Sequence, residues 1–241
     1  MVEVRPRLRV QERFVSLQGE GLLVGTPSSF IRASGCNLRC TWCDSPASSW
    51  EPRGESEDLD MLVQFCAEGP RHVVLTGGEP LLFAPMAELS RRLRDAGHHV
   101  TIETAGTVWL DDVHADLMSV SPKLAHSTPT DRDEAWALRH EQRRRRPEIV
   151  KRLLGYPWQL KFVVSAYDPE LLELDVAEVE HWVATLGIAD RDRERVLLMP
   201  ECIDPARLPS DYATIAAACR NTGFRLGTRL HIEIFGHTPG T

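Results

Sequence analysis

Short apolar runs alternate with helical patterns along nearly the whole chain, and this alternation restricts the fold more than any other feature. Strand-like runs occupy Val10–Leu17, Ser29–Ala33, His72–Thr76, His99–Glu103, Leu117–Val120, Leu160–Val164, Val196–Met199 and Arg229–Ile234. Several are unbroken stretches of Val, Ile and Leu, as in parallel sheets covered on both faces. Helical patterns lie between them, at Asp58–Glu68, Pro85–Ala96, Asp133–Leu154, Pro169–Leu186 and Pro205–Asn221. Parallel neighbours need a crossover, which a helix supplies. The sequence therefore predicts an α/β fold of βα units around a parallel sheet, open or closed. No internal repeat is visible.

A chain of 241 residues with 42% apolar content can bury a proper core in one or two domains, and 26% charged residues is not the composition of a disordered chain. A net charge of −7 argues against a nucleic-acid surface, so a small anionic substrate would need its own local arginines. The N-terminus, Met-Val-Glu-Val-Arg-Pro-Arg, has no apolar signal region. No run approaches the ~20 apolar residues of a membrane-spanning helix. The expectation is a cytoplasmic protein in a reducing compartment, without membrane or nucleic-acid partners. Of six cysteines, Cys66 and Cys219 lie in helical patterns and Cys202 ends a strand-like run, the usual setting of buried inert thiols.

Two segments break the rhythm. Ser45–Glu57, rich in Pro, Ser and Gly, reads as a loop. Ala125–Tyr156 is longer than a plain crossover and reads as a helical insertion; it carries four consecutive arginines, Arg143–Arg146. These suit either a solvated helix face or a basic contact for an electron-donor protein.

The other three cysteines, Cys36, Cys40 and Cys43, share one short loop, Gly-Cys-Asn-Leu-Arg-Cys-Thr-Trp-Cys-Asp. Even fully extended, seven residues span only about 25 Å, and Gly35 permits the turn that gathers them. Three thiolates can hold three irons of a cubic iron–sulfur cluster, which normally takes four cysteines. One iron would then keep an open position for a ligand. The alternative is a zinc knuckle, which wants a fourth Cys or His. The only His in the fifty-odd residues that follow is His72.

Further polar groups gather at the ends of strand runs. Thr76-Gly77-Gly78-Glu79-Pro80 directly follows an apolar run, and its glycines let backbone approach a ligand closely. Glu103-Thr104-Ala105-Gly106-Thr107 and Ser121-Pro122-Lys123 end the next two strands. Polar groups at successive strand C-termini imply a shared ligand crevice. Before the cysteines, Phe14-Val-Ser-Leu-Gln-Gly-Glu-Gly21 offers the Gln18 amide and the Glu20 carboxylate, which together can read the lactam and amino edge of a heterocycle. Arg32 can clamp a carboxylate bidentately.

The cysteine spacing, with Trp42 before the last cysteine, resembles the radical S-adenosylmethionine (SAM) superfamily. The ordered set Phe-x-Ser-x-Gln-Gly-Glu-Gly, Phe30-Ile31-Arg32, Gly-Cys-Asn-Leu-x-Cys-x-Trp-Cys-Asp, Thr-Gly-Gly-Glu-Pro and Ser-Pro-Lys resembles, more closely, the 7-carboxy-7-deazaguanine synthase family. That resemblance implies a single radical SAM core domain over residues 1–241, a partial (β/α) barrel, with an insertion around 125–156. It implies a lyase of 7-deazapurine (queuosine-type) biosynthesis. The reaction would convert 6-carboxy-5,6,7,8-tetrahydropterin to 7-carboxy-7-deazaguanine with loss of ammonia, begun by hydrogen abstraction from C6 by a 5′-deoxyadenosyl radical. Cys36, Cys40 and Cys43 would hold a 4Fe-4S cluster, whose open iron SAM chelates. Trp42, Asp44, Gly78, Glu79, Glu103, Ser121, Pro122 and Lys123 would surround SAM. Leu17, Gln18, Gly19, Glu20, Arg32, Thr76, His231 and the chain end at Thr241 would contact the substrate. Ser45, where relatives often have Thr, would ligate Mg²⁺. A flavodoxin or ferredoxin would donate electrons to a homodimer. Ala105 departs from the superfamily's usual Asn, and the tail from His231 to Thr241 is similar to the family's but not identical. Another radical SAM enzyme, such as a glycyl-radical activase, shares the cysteine spacing; a cluster-based redox sensor would leave the glycine motifs without a task.

Overall fold

The computed structural model describes residues 6–241; Met1–Arg5, on which the reading of the N-terminus partly rests, lie outside the described residues. Nine strands and seven α-helices follow the chain as β1 (Arg7–Leu17), β2 (Pro27–Ala33), β3 (Glu55–Asp58), α1 (Leu59–Ala67), β4 (His72–Gly77), α2 (Pro85–Asp95), β5 (His99–Thr104), β6 (Leu117–Val120), α3 (Glu134–Arg144), α4 (Pro147–Leu153), β7 (Trp158–Val164), α5 (Pro169–Leu186), β8 (Val196–Pro200), α6 (Leu208–Thr222), β9 (Arg225–Leu226) and α7 (Leu230–Phe235).

The strands form one sheet in the order β3-β1-β2-β4-β5-β6-β7-β8-β9. From β2 to β9 every pairing is parallel. The antiparallel pairings of β1 with β2 and β3 extend one edge. Hydrogen bonds do not close the sheet between β3 and β9. It is thus a partial barrel, mostly parallel.

Period-two alternation sorts its side chains. On β7, Leu160, Phe162 and Val164 join the main core, whereas Lys161 and Val163 face the cavity. Phe162 is fully buried against Trp182 of α5, ring centroids 6.4 Å apart. Such burial stabilises by roughly 1.5–3 kcal/mol. The inner face is therefore not the second apolar layer that the Val/Ile/Leu runs predict; it is where polar side chains collect. Helix α5 shows how local signals place an element. Asp168 accepts from the Glu170 and Leu171 amides at 2.9 and 3.2 Å, Pro169 opens the first turn, and Gly187 at φ 69° ends it.

Three sequence expectations are corrected. The single helix Asp133–Leu154 is two, because Pro147 lacks an N–H and holds Arg146 out of helical geometry at φ −128°, ψ 68°. The strand Arg229–Ile234 is the short helix α7. Its alternating Leu230, Ile232 and Ile234 mimic a strand, but β9 already holds the edge beside β8; Ile232 packs instead on Cys202 and Leu208. The loop Ser45–Glu57 ends in β3, which pairs with Arg7–Val10.

Candidate active site

One cavity of about 810 Å³ opens at the C-terminal ends of the parallel strands. That volume is at the upper end of small-molecule sites, roughly 300–1,000 Å³. The cysteine loop forms one wall and the chain's last residues, Thr238–Thr241, line its rim.

The sheet itself holds the loop. Glu79 N–H donates to Gly35 O at 2.9 Å, and Gly35 N–H to Ser48 O at 2.9 Å. The Trp50 indole donates to Cys40 O at 2.9 Å, and Thr41 N–H to Ser127 O at 2.9 Å. Gly78 is required by this contact: a Cβ there would stand 2.5 Å from both Gly35 O and Ser48 O and 2.6 Å from Cys36 Cβ. Its lack of a side chain thus serves the approach of two backbones as well as access to the cavity.

Cys36, Cys40 and Cys43 are free thiols packed with Leu38, Trp42 and Ala105 in an apolar nest. The Cys36 sulfur accepts from Leu38 N–H at 3.4 Å, and Cys43 meets Ser49 Oγ at 3.1 Å. Burial pushes the Cys36 thiol up to about 12 and raises those of Cys40 and Cys43. A soft, dry three-thiol set of this kind suits iron in a cluster, whose charge displaces the protons. Cys202 also lines the cavity, yet it packs apart from this nest, with Leu208 and Ile232.

Below the loop lies a charged floor. The Lys161 ammonium, on β7, stands 2.9 Å from Glu20 Oε2 and 3.2 Å from Glu103 Oε1. Gln18 Nε2 and Thr76 Oγ1 donate to the same Glu103 at 3.3 and 3.1 Å. Arg229 reaches Glu20 at 3.3 Å and also pairs with Asp44. Burial alone would raise the Glu20 carboxyl, but Lys161, Arg229 and His231 outweigh it and hold the group well below the usual carboxylate range. Burial would likewise lower Lys161, yet Glu103 and Glu20 keep it firmly charged. Arg32 lines the cavity with its Nε held 2.7 Å from Glu12. Inside the protein, Trp42 Nε1 and His231 Nδ1 have no hydrogen-bond partner among the described residues. Buried donors are normally satisfied, so a polar ligand at this wall has groups waiting for it.

The cavity brings together Leu17, Gln18, Gly19, Glu20, Arg32, Cys36, Cys40, Trp42, Cys43, Asp44, Ser45, Thr76, Gly78, Glu103, Ser121, Lys123, His231 and Thr241. It does not include Glu79 or Pro122. Glu79 is fully buried beneath it, where its carboxylate accepts from Thr104 Oγ1 at 2.8 Å, Ala105 N–H at 2.9 Å and Leu81 N–H at 3.2 Å. Glu79 therefore ties the β4 and β5 ends together. Two floor residues escaped the sequence reading. Lys161 carried a usable signal, a lone cation inside the run Leu160–Val164; Arg229 carried none, being lost in a strand that does not form.

The chain matches the family model described as the Radical SAM superfamily over residues 30–156. It is 43% identical over 98% of its length to a 7-carboxy-7-deazaguanine synthase of Halobacterium salinarum, covering 93% of that protein. It is 42% identical over 97% of its length to one of Rhodopirellula baltica, covering 89%. The chain belongs to the 7-carboxy-7-deazaguanine synthase family. Among solved structures, QueE from Escherichia coli superposes with TM-score 0.65 at 22% identity, covering 93% of this chain and 95% of that one. Streptococcus suis SuiB bound to S-adenosylmethionine gives 0.53 at 13% identity, covering 83% and 50%; both likenesses concern the fold. Membership in the 7-carboxy-7-deazaguanine synthase family makes the chain a radical SAM enzyme, with a 4Fe-4S cluster and SAM as cofactors. It decides against the glycyl-radical activase, the zinc knuckle and the redox sensor.

Proposed function

We propose that this chain is a lyase that converts 6-carboxy-5,6,7,8-tetrahydropterin to 7-carboxy-7-deazaguanine with loss of ammonia. The names of its full-length relatives support this reading. The observation that carries it is the Gln18–Glu20–Glu103–Lys161 floor, which shares one cavity with the three-cysteine loop. When bound, the cluster and SAM supply a 5′-deoxyadenosyl radical. The protein's part is to place the substrate and keep water out.

Cys36, Cys40 and Cys43 would hold the cluster, and Trp42, Asp44, Gly78, Glu103, Ser121 and Lys123 would surround SAM. Glu79 and Pro122 would act from behind that wall. Gln18 and Glu20 present an amide and a carboxylate to the edge of a pterin, with Leu17, Gly19, Thr76 and His231 around it. The guanidinium of Arg32, already oriented by Glu12, would take the substrate carboxylate, and Thr241 would close the rim. Ser45 would give Mg²⁺ one hydroxyl; Mg²⁺ keeps several waters and needs few protein ligands. Its Oγ now lies 3.2 Å from Asp44 Oδ1, so an oxygen pair is in place.

The whole chain would act as a single core domain, with residues 125–156 as an insertion, in a cytoplasmic homodimer that receives electrons from a flavodoxin or ferredoxin. Among the described residues no helix is long and apolar enough to cross a membrane. The test is anaerobic turnover of the reconstituted protein with SAM, Mg²⁺, a reductant and the carboxy-tetrahydropterin. Release of the deazaguanine acid, with deuterium from pterin C6 recovered in SAM, is the expected result. Turnover without label transfer would refute hydrogen abstraction at C6.

A further inference from the structure

The arginine-rich insertion is fastened directly to the cysteine loop. Arg39 N–H donates to His140 Nδ1 of α3 at 3.1 Å, and Arg143 Nη1 donates to Asn37 O at 3.2 Å. His140 is itself fixed by Ser127 Oγ at 2.9 Å. At about 100° per residue, Trp136, Arg139 and Arg143 fall on one side of α3, and Glu134, Glu141 and Arg144 on the other. The contacts agree. Arg144 is spent on Glu141 and Glu178, at 2.8 and 2.6 Å. The guanidiniums of Arg39 and Arg139 instead converge on one indole, 4.3 and 5.4 Å from the Trp136 ring centre. Among the described residues no carboxylate pairs with Arg39, Arg139 or Arg143. Arg139 and Arg143 are exposed.

On a chain of net charge −7, this side thus gathers three cations without a carboxylate partner among the described residues, two of them on one indole. Arg39 also lies inside the loop, its Nη1 2.8 Å from Cys36 O. We propose that this side of α3, together with Arg39, is the docking surface for an acidic one-electron carrier protein, seated against the outer wall of the cluster site. Charge complementarity selects that partner: a negative surface is steered to these cations and meets the Trp136 indole there. One electron leaves the carrier, oxidising it by one unit, and enters the cluster. The inference rests on the radical SAM reading and deepens it.

The experiment uses a flavodoxin of net negative charge, fluorescently labelled, with reconstituted protein and its Arg139→Glu/Arg143→Glu variant. The expected result is binding weaker by about tenfold or more at low ionic strength, with a flatter salt dependence. Flavodoxin-driven turnover should fall in parallel, while dithionite-driven turnover of Arg139→Glu, which keeps the Arg143–Asn37 bond to the loop, stays unchanged. Arg139→Glu alone, which leaves the Arg143–Asn37 contact intact, should show a smaller loss in the same direction. Equal affinity for the unaltered protein and both variants would overturn the docking surface. If the unaltered protein makes no deazaguanine even with dithionite, the proposed reaction falls, while the affinities still decide the surface.

Discussion

Lys161 Nζ lies 2.9 Å from Glu20 Oε2, a contact between residues 141 positions apart. It joins β7 to the segment after β1 across the open interior of the sheet. Because Lys161 also touches Glu103, one cation neutralises two carboxylates at the floor of the site.

Replacing it should therefore be costly. Lys161→Met leaves Glu103 without an ion-pair partner among the described residues and takes from Glu20 one of its two, Arg229 remaining. Removing one partner of a buried pair typically costs about 3–5 kcal/mol. Urea unfolding of the Lys161→Met protein should show a loss of that order at neutral pH, and Lys161→Arg a much smaller one. Stability of Lys161→Met within 1 kcal/mol of the parent, on the same scale, would mean that the floor is solvated.

Acid sensitivity should follow Glu20. Its carboxyl is held below its unfolded-state value of about 4.3, so its ionised form favours the fold above that pH. This contribution is lost as pH falls from there through the lower folded-state value. Glu20→Gln should be less stable than the parent at pH 7, and the two unfolding curves should converge in strong acid. A stability difference that persists undiminished at low pH would rule this linkage out.

Gly78→Ala tests the backbone contact behind the cysteine loop. The added methyl meets Gly35 O and Ser48 O, neither of which is the end of a flexible side chain. Overpacking of this kind typically costs about 1–3 kcal/mol. Its larger effect should be on the loop: poor iron incorporation on reconstitution, read by absorbance and iron content. Normal iron loading would show that the loop can retreat without losing its shape.

Cys40→Ala should abolish SAM cleavage and the brown chromophore, while the far-UV circular dichroism stays that of the parent. The thiol is buried among Leu38 and Ala105 and carries no protein hydrogen bond among the described residues, so alanine fits the nest. Full SAM cleavage by this variant would remove the cluster assignment.

The parallel strands were legible because their apolar runs are short, bounded and separated by helical patterns. The cysteine loop was legible because its chemistry is local. What escaped was relational. Lys161 and Glu20 become meaningful only when a pairing across most of the chain places them together. Glu79 reads as a ligand contact by its motif, and the motif does not show that its carboxylate is also a buried acceptor for Thr104 and Ala105. The α7 segment misled because an alternating apolar pattern over six residues fits a strand as well as one buried helical turn; only the occupied sheet edge decides between them.

The register of the sheet has a consequence for biogenesis. Arg32 is opposite Thr76, and Glu103 is opposite Ser119, so every functional side chain on the inner face depends on correct pairing of its strand. A slip of one residue would turn Lys161 outward and present Leu160 or Phe162 to the interior. A slip of β2 against β4 would likewise part Gly35 O from the Glu79 N–H that holds the cysteine loop, and so impair iron uptake. Colour after reconstitution therefore doubles as a fidelity check on strand alignment, available without any assay of the reaction.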